Sequence, residues 1–150
     1  MEEITKGNKR STHKTVITWS EEKKAFLCSS GEQTIEIAAS QESKKHEDMW
    51  TPEELFVASV QGFIKDAFVD YAKRSNFEFL SYESEAEGVM EKVEDKLMFT
   101  EITIKPYIVV ASSSQVEEAN ELIGLAKDNC FIFSSIAAMI MVYPEISVKL

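Results

Sequence analysis

Residues 51–76 read TPEELFVASVQGFIKDAFVDYAKRSN, and this stretch decides the fold. Thr51 stands where an N-cap is wanted and Pro52 at the first helical position. Glu54 completes a T-x-x-E capping box just ahead of an apolar run. From Leu55 to Ile64 nearly every residue is apolar or small. Beyond it polarity returns on one side, at Lys65, Asp66, Asp70, Lys73 and Arg74. The pattern predicts a central helix, enclosed on all sides over its first half and amphipathic over its second. Ala58, Ser59 and Gly62 fall at spacings of three and four, which predicts a face open to close approach by another backbone.

Before this helix the sequence predicts a meander of three strands, at residues 15–19, 25–28 and 33–39, joined through 20–24 and 30–32. A polar loop, SQESKKHEDMW over 40–50, leads into the helix. After it, residues 78–90 alternate strictly. Glu83, Glu85 and Glu87 share one face, and Tyr82, Ser84, Ala86 and Gly88 the other. Glu94, Asp95 and Lys96 turn the chain into a second long strand over 97–110. There Ile102, Ile104 and Ile108 oppose Glu101, Thr103 and Lys105. Pro106 inside that run predicts an edge position or a bulge. A second helix is expected over 115–129, capped by Ser113 or Ser114 with Glu117, and striped by Val116, Ala119, Leu122, Ile123 and Ala126. A short buried helix over 134–142, ended by Pro144, and a last strand through Ile146, Val148 and Leu150 complete the chain. Strands in a block, a long helix, a hairpin, a helix and a strand make an α+β pattern.

With 150 residues the chain is expected to form one domain over 1–150, with 1–14 as a flexible tail. A net charge of −10, with no clustering of Lys or Arg, argues against nucleic acid as a partner. No apolar run is long enough to span a bilayer, and the polar N-terminus carries no signal-peptide pattern. Two cysteines, Cys28 and Cys130, do not make a disulfide framework, so a cytoplasmic location is expected. No motif asks for a cofactor. His46 beside Glu47 and Asp48 has only the distant His13 as a second histidine, so no metal-ligand set is visible.

The segments PEELFVASVQGF, DYAKRSNFEF and AKDNCFIFSSI resemble the osmotically inducible protein C / organic hydroperoxide resistance (OsmC/Ohr) family over almost the whole chain. The resemblance implies the OsmC-like α+β fold and an intertwined homodimer with reactive sites at the subunit interface. In that family a first Cys attacks an organic hydroperoxide, and a second resolves the sulfenic acid as a disulfide. A dithiol such as a lipoyl group reduces the disulfide. Carried over residue by residue, Glu53 matches the family's Glu and Cys130 its second Cys. Phe63 stands where the attacking Cys belongs, and Phe131 where a Pro usually follows the second Cys. The family's Arg has no counterpart; Lys23 and Lys24 fall near its place, and an ammonium does not reproduce a bidentate fork.

Phe63 cannot ionise, so the two-cysteine cycle is expected to be absent. Two activities remain open, beside a third reading as an interaction module with no small-molecule site. In one, Phe63, Trp50 and Phe131 line an interface pocket for a small hydrophobic or acyl-like ligand. In the other, Cys130 reduces peroxide alone with Glu53 assisting. Helix-dipole and desolvation arguments both predict a raised thiol at Cys130. A buried free Cys also serves as a small hydrophobe, Glu53 as a first-turn acid, and Trp50 with Met49 as a staple before the cap.

Overall fold

The structure is a computed structural model that describes residues 10–19, 24–29, 33–38 and 49–150. The chain divides into two compact units, Met1–Pro52 and Glu53–Leu150.

In the first unit β1 (Thr15–Trp19), β2 (Lys24–Ser29) and β3 (Ile35–Ala38) form the expected antiparallel meander in that order. The register sets Cys28 opposite Val16, and Leu27 opposite both Ile17 and Ile35. The expected connections at 20–23 and 30–32, the body of the polar loop with His46, and most of the tail lie outside the described residues. Ala25, Ile37 and Met49 are buried, whereas Val16, Ile17 and Trp19 stand exposed. Trp50 is held by its backbone. Its N–H donates to the Glu36 carbonyl at 3.1 Å and its carbonyl accepts from the Ala38 N–H at 2.8 Å, while the indole remains 46% exposed.

The second unit opens on α1 (Pro52–Arg74), with Glu53 and Glu54 in its first turn and Lys73 and Arg74 in its last, as the macrodipole favours. Asn76, at φ 51°, closes it. The Asn76 N–H donates to Lys73 and the Phe77 N–H to Ala72, a Schellman stop in which Asn takes the left-handed position. Burial along α1 runs opposite to expectation. The fully enclosed residues are Val60, Ile64, Phe68 and Ala72, one stripe at a spacing of four; Leu55, Val57, Ala58 and Phe63 are only half-buried and Phe56 is exposed. One sheet covers one side of a helix, and the apolar residues on its other sides are only partly covered in their own unit, where Phe56 stacks on Phe99 with centroids 4.9 Å apart.

That sheet is built on a hairpin of β4 (Ser81–Val93) and β5 (Lys96–Val110). Glu94 and Asp95, at φ 47° and 65°, make the turn in the primed geometry that matches strand twist. Even-numbered residues from Tyr82 to Gly88 and from Ile102 to Val110 face α1, and a bulge at Val89/Met90 interrupts the register further out. Helix and sheet come close at Gly88. A Cβ there would lie 2.6 Å from Val57 Cγ2 and 2.7 Å from Phe99 Cε1. At Gly62, where close approach was expected, a Cβ would meet nothing beyond its own helix within 4 Å among the described residues.

From β5 the chain passes through a 3₁₀ turn at Ser113–Gln115 into α2 (Val116–Asp128). The cap sits earlier than expected. Gln115 Oε1 accepts from the N–H groups of Ala111 and Ser112 at 3.1 and 3.2 Å, so Ser112 with Gln115 replaces Ser114 with Glu117. The stripe of Ala119, Leu122, Ile123 and Ala126 is buried as anticipated.

Residues 134–142 do not form a helix. A 3₁₀ turn at Phe131–Ser135 leads into β6 (Met139–Val142), and β7 (Glu145–Val148) follows; both pair in parallel with β5, so a β–α–β crossover joins the antiparallel hairpin. Pro106 is neither at an edge nor at a bulge. The Ile104 and Val110 carbonyls accept from Tyr143 and Lys149, so even residues of β5 direct their backbone groups toward β6 and β7. Position 106 falls between the two ladders, opposite Pro144. The missing N–H thus points at the one place where the neighbouring strand is itself interrupted.

Candidate functional site

Phe63 projects from the middle of α1, half-buried against the core of the second unit. Its ring meets Phe131 edge to face, with centroids 6.0 Å apart and planes at 77°. Phe131 opens the 3₁₀ turn after α2 and is 77% exposed, while Cys130, immediately before it, is 7% exposed. The sequence-derived residues Phe63, Phe131 and Cys130 therefore converge at one place. The carboxamide of Asn129 donates to the Leu125 carbonyl at 2.9 Å and ties down the end of α2 that delivers Cys130.

Burial pushes the Cys130 thiol up, as anticipated, and backbone hydrogen bonds from Ile132 and Phe133 pull in the opposite direction without cancelling it. The thiol thus feels two opposed influences. Cys130 follows the C-terminus of α2, yet it is also the N-cap position of the next 3₁₀ turn, whose N–H groups favour a thiolate although the side chain makes no cap hydrogen bond there.

Glu53 stands apart from this cluster. It precedes Phe63 by ten residues on one straight helix, which separates them by about 15 Å along the axis. Trp50 belongs to the first unit. Lys23, the Lys24 side chain and His46 lie outside the described residues. Among the described residues no group of three or more His, Cys, Asp or Glu is placed to hold a metal ion.

A polar cluster escaped the sequence reading. Gln61 Nε2 donates to both the carbonyl and the hydroxyl of Ser84 at 2.7 Å, joining α1 to β4 beside the apolar core. Next to it the Tyr82 hydroxyl is enclosed without a hydrogen-bond partner, and burial raises its phenol to about 12. The Ser84 hydroxyl offsets part of that rise without reaching hydrogen-bonding geometry. The available signal was a Gln inside the apolar half of α1 and a Ser on the inward face of β4.

The sequence of residues 45–144 matches the family model for OsmC-like proteins. The chain belongs to the OsmC-like family. Its OsmC-like fold recurs in an OsmC-like protein of unknown function from Vibrio cholerae, 21% identical, at a TM-score of 0.79 over 91% of this chain and 100% of that one. An organic hydroperoxide resistance protein from Elizabethkingia anophelis is 18% identical, at a TM-score of 0.70 over 95% and 100%. Another from Bacillus subtilis is 20% identical, at 0.64 over 91% and 98%. Comparison with curated protein sequences finds no match. Within this OsmC-like chain no described helix is long and apolar enough to cross a membrane.

Proposed function

We propose that this OsmC-like protein does not run a two-cysteine peroxidase cycle, and that it acts as a homodimer whose interface holds a small hydrophobic or acyl-like ligand against Phe63 and Phe131. The edge-to-face contact of Phe63 with Phe131, beside the single buried thiol of Cys130, carries the reading. A two-cysteine cycle needs one sulfur to take oxygen from the hydroperoxide and a second to expel it as water while the disulfide forms. Here a phenyl ring occupies the first position, and the remaining thiol is held protonated by burial. Rings that are half-buried or exposed in a single chain offer an apolar wall to a ligand or to a second subunit.

A second reading has Cys130 working alone, and the amide donors from Ile132 and Phe133 favour it. The Cys130 thiolate would take the terminal oxygen of an organic hydroperoxide, releasing the alcohol and leaving a sulfenic acid. An external dithiol such as a lipoyl group would reduce that acid to thiol and water while closing its own disulfide. Glu53 would have to assist from a second copy, because its own helix holds it turns away from Phe63.

Turnover of cumene hydroperoxide with dihydrolipoamide, on the native protein and on Cys130→Ser, separates the two. The first reading expects no turnover in either protein and binding of octanoate that weakens in Phe63→Ala. Turnover that vanishes in Cys130→Ser would establish the second.

A further inference from the structure

The sheet face turned away from α1 carries a groove that the Phe63–Cys130 cluster does not touch. Its volume is about 580 Å³, and Glu85, Ala86, Glu87, Thr103, Lys105 and Tyr143 line it. That size suits a small molecule. Alternation on β4 and β5 puts their odd-numbered residues on this face, so Glu85, Glu87, Thr103 and Lys105 form an ordered array on two strands. Register sets Glu85 opposite Lys105 and Glu87 opposite Thr103. The β5–β6 ladder continues past Val142, where the Tyr143 N–H donates to the Ile104 carbonyl at 2.9 Å, and brings Tyr143 beside Lys105.

Two walls of the groove are braced. The Tyr107 hydroxyl donates to Glu85 Oε2 at 3.4 Å, and the Tyr143 hydroxyl donates to Met141 Sδ at 3.3 Å. The floor is not neutralised. Lys105 forms no ion pair among the described residues, although Glu85 stands directly across from it. Small Thr103 between taller neighbours leaves the hollow open. The lining thus offers an ammonium, two carboxylates and an aromatic wall.

We propose that this groove binds a free basic amino acid. Two carboxylates and one ammonium leave the lining at −1, so a ligand carrying +1 and both signs is its complement. The ligand's carboxylate pairs with the Lys105 ammonium. Its cationic groups pair with Glu87 and Glu85, and a guanidinium lies against the Tyr143 ring. A simple anion would meet two carboxylates, and a simple diamine would meet the Lys105 ammonium.

Isothermal titration of the full chain with L-arginine, agmatine (arginine without its carboxylate) and L-citrulline (without its guanidinium charge) tests this. Arginine should bind, and agmatine and citrulline each about tenfold more weakly or worse, one charge-assisted contact being lost in each case. Lys105→Met should abolish the preference for arginine over agmatine, and Glu87→Gln should weaken arginine about tenfold. Both positions lie on the exposed sheet face, so folding is not at stake. Phe63→Ala should leave arginine binding unchanged, which keeps this site separate from the proposed apolar one. Agmatine binding as well as arginine, citrulline binding as well as arginine, or no arginine binding at millimolar concentration would each overturn the proposal.

Discussion

A phenyl ring at position 63 does more than delete a nucleophile; it meets Phe131 edge to face, next in the chain to Cys130, whose thiol burial keeps protonated. Only the thiolate is reactive, so burial sets the rate at which Cys130 meets an electrophile. Iodoacetamide labelling at pH 7.5 should be slower at Cys130 than at the same residue in urea, because a raised thiol leaves a smaller thiolate fraction. Labelling of the folded chain should climb as pH rises beyond the ordinary thiol range. Equal rates folded and unfolded would show that Ile132 and Phe133 offset burial in full. Tyr82 presents the same physics in a phenol. Its folded value of about 12 lies above the ordinary 10, so the neutral form is favoured by the fold. That contribution is complete below pH 10 and fades as pH climbs from 10 toward 12, where the unfolded chain loses its proton first. Tyr82→Phe removes a buried hydroxyl that has no partner. It should leave stability at pH 7 unchanged or raise it by about 1 kcal/mol, and it should flatten the alkaline decline measured by urea denaturation.

Elements were legible where a single period was sustained. The alternation of Glu83, Glu85 and Glu87 against Tyr82, Ser84 and Ala86 located β4, and the isoleucines of β5 located its buried face. The strand at Met139–Val142 was hidden by the same logic. It is a short, apolar segment pairing in parallel, and such runs look alike whether they are buried helix or buried strand. Pro106 misled because its rule concerns a missing N–H, whereas the deciding fact is what that N–H would face. Only the break at Pro144, between the unexpected strand β6 and the expected β7, reveals it. The cluster of Phe63, Phe131 and Cys130 was legible by resemblance, but the groove was not, because its lining converges from three separate stretches of sequence. Gly88 gives the element scale a test. An added methyl would run into Val57 and Phe99, both side chains that can shift only by disturbing the helix–sheet seam. Gly88→Ala should cost about 1–3 kcal/mol through overpacking, read as a lower urea midpoint with an unchanged slope.

At the scale of the molecule, the apolar content of α1 exceeds what its own unit covers. Leu55, Val57, Ala58 and Phe63 are half-buried and Phe56 is exposed, while the enclosed stripe needs only one of the helix's faces. A helix of this composition left open to water is unfavourable, and a second copy of the same helix is the economical cover, since Ala58, Ser59 and Gly62 would permit close approach. Each chain carries a formal charge of −10. Like charge therefore opposes pairing, and screening should relieve it. Sedimentation equilibrium should show a dimer that tightens as sodium chloride is raised from about 20 mM to about 500 mM, a range over which the Debye length falls several-fold. Gly62 isolates the cause. Among the described residues nothing beyond its own helix lies within 4 Å of a Cβ there, so the side chain of Gly62→Leu has room to extend from the helix, and the substitution improves helix propensity by up to about 1 kcal/mol. The same side chain would prevent two helices from meeting along the small-residue face. A well-folded Gly62→Leu monomer is the expected result; a Gly62→Leu dimer as tight as the native one would mean that the subunits join through another surface.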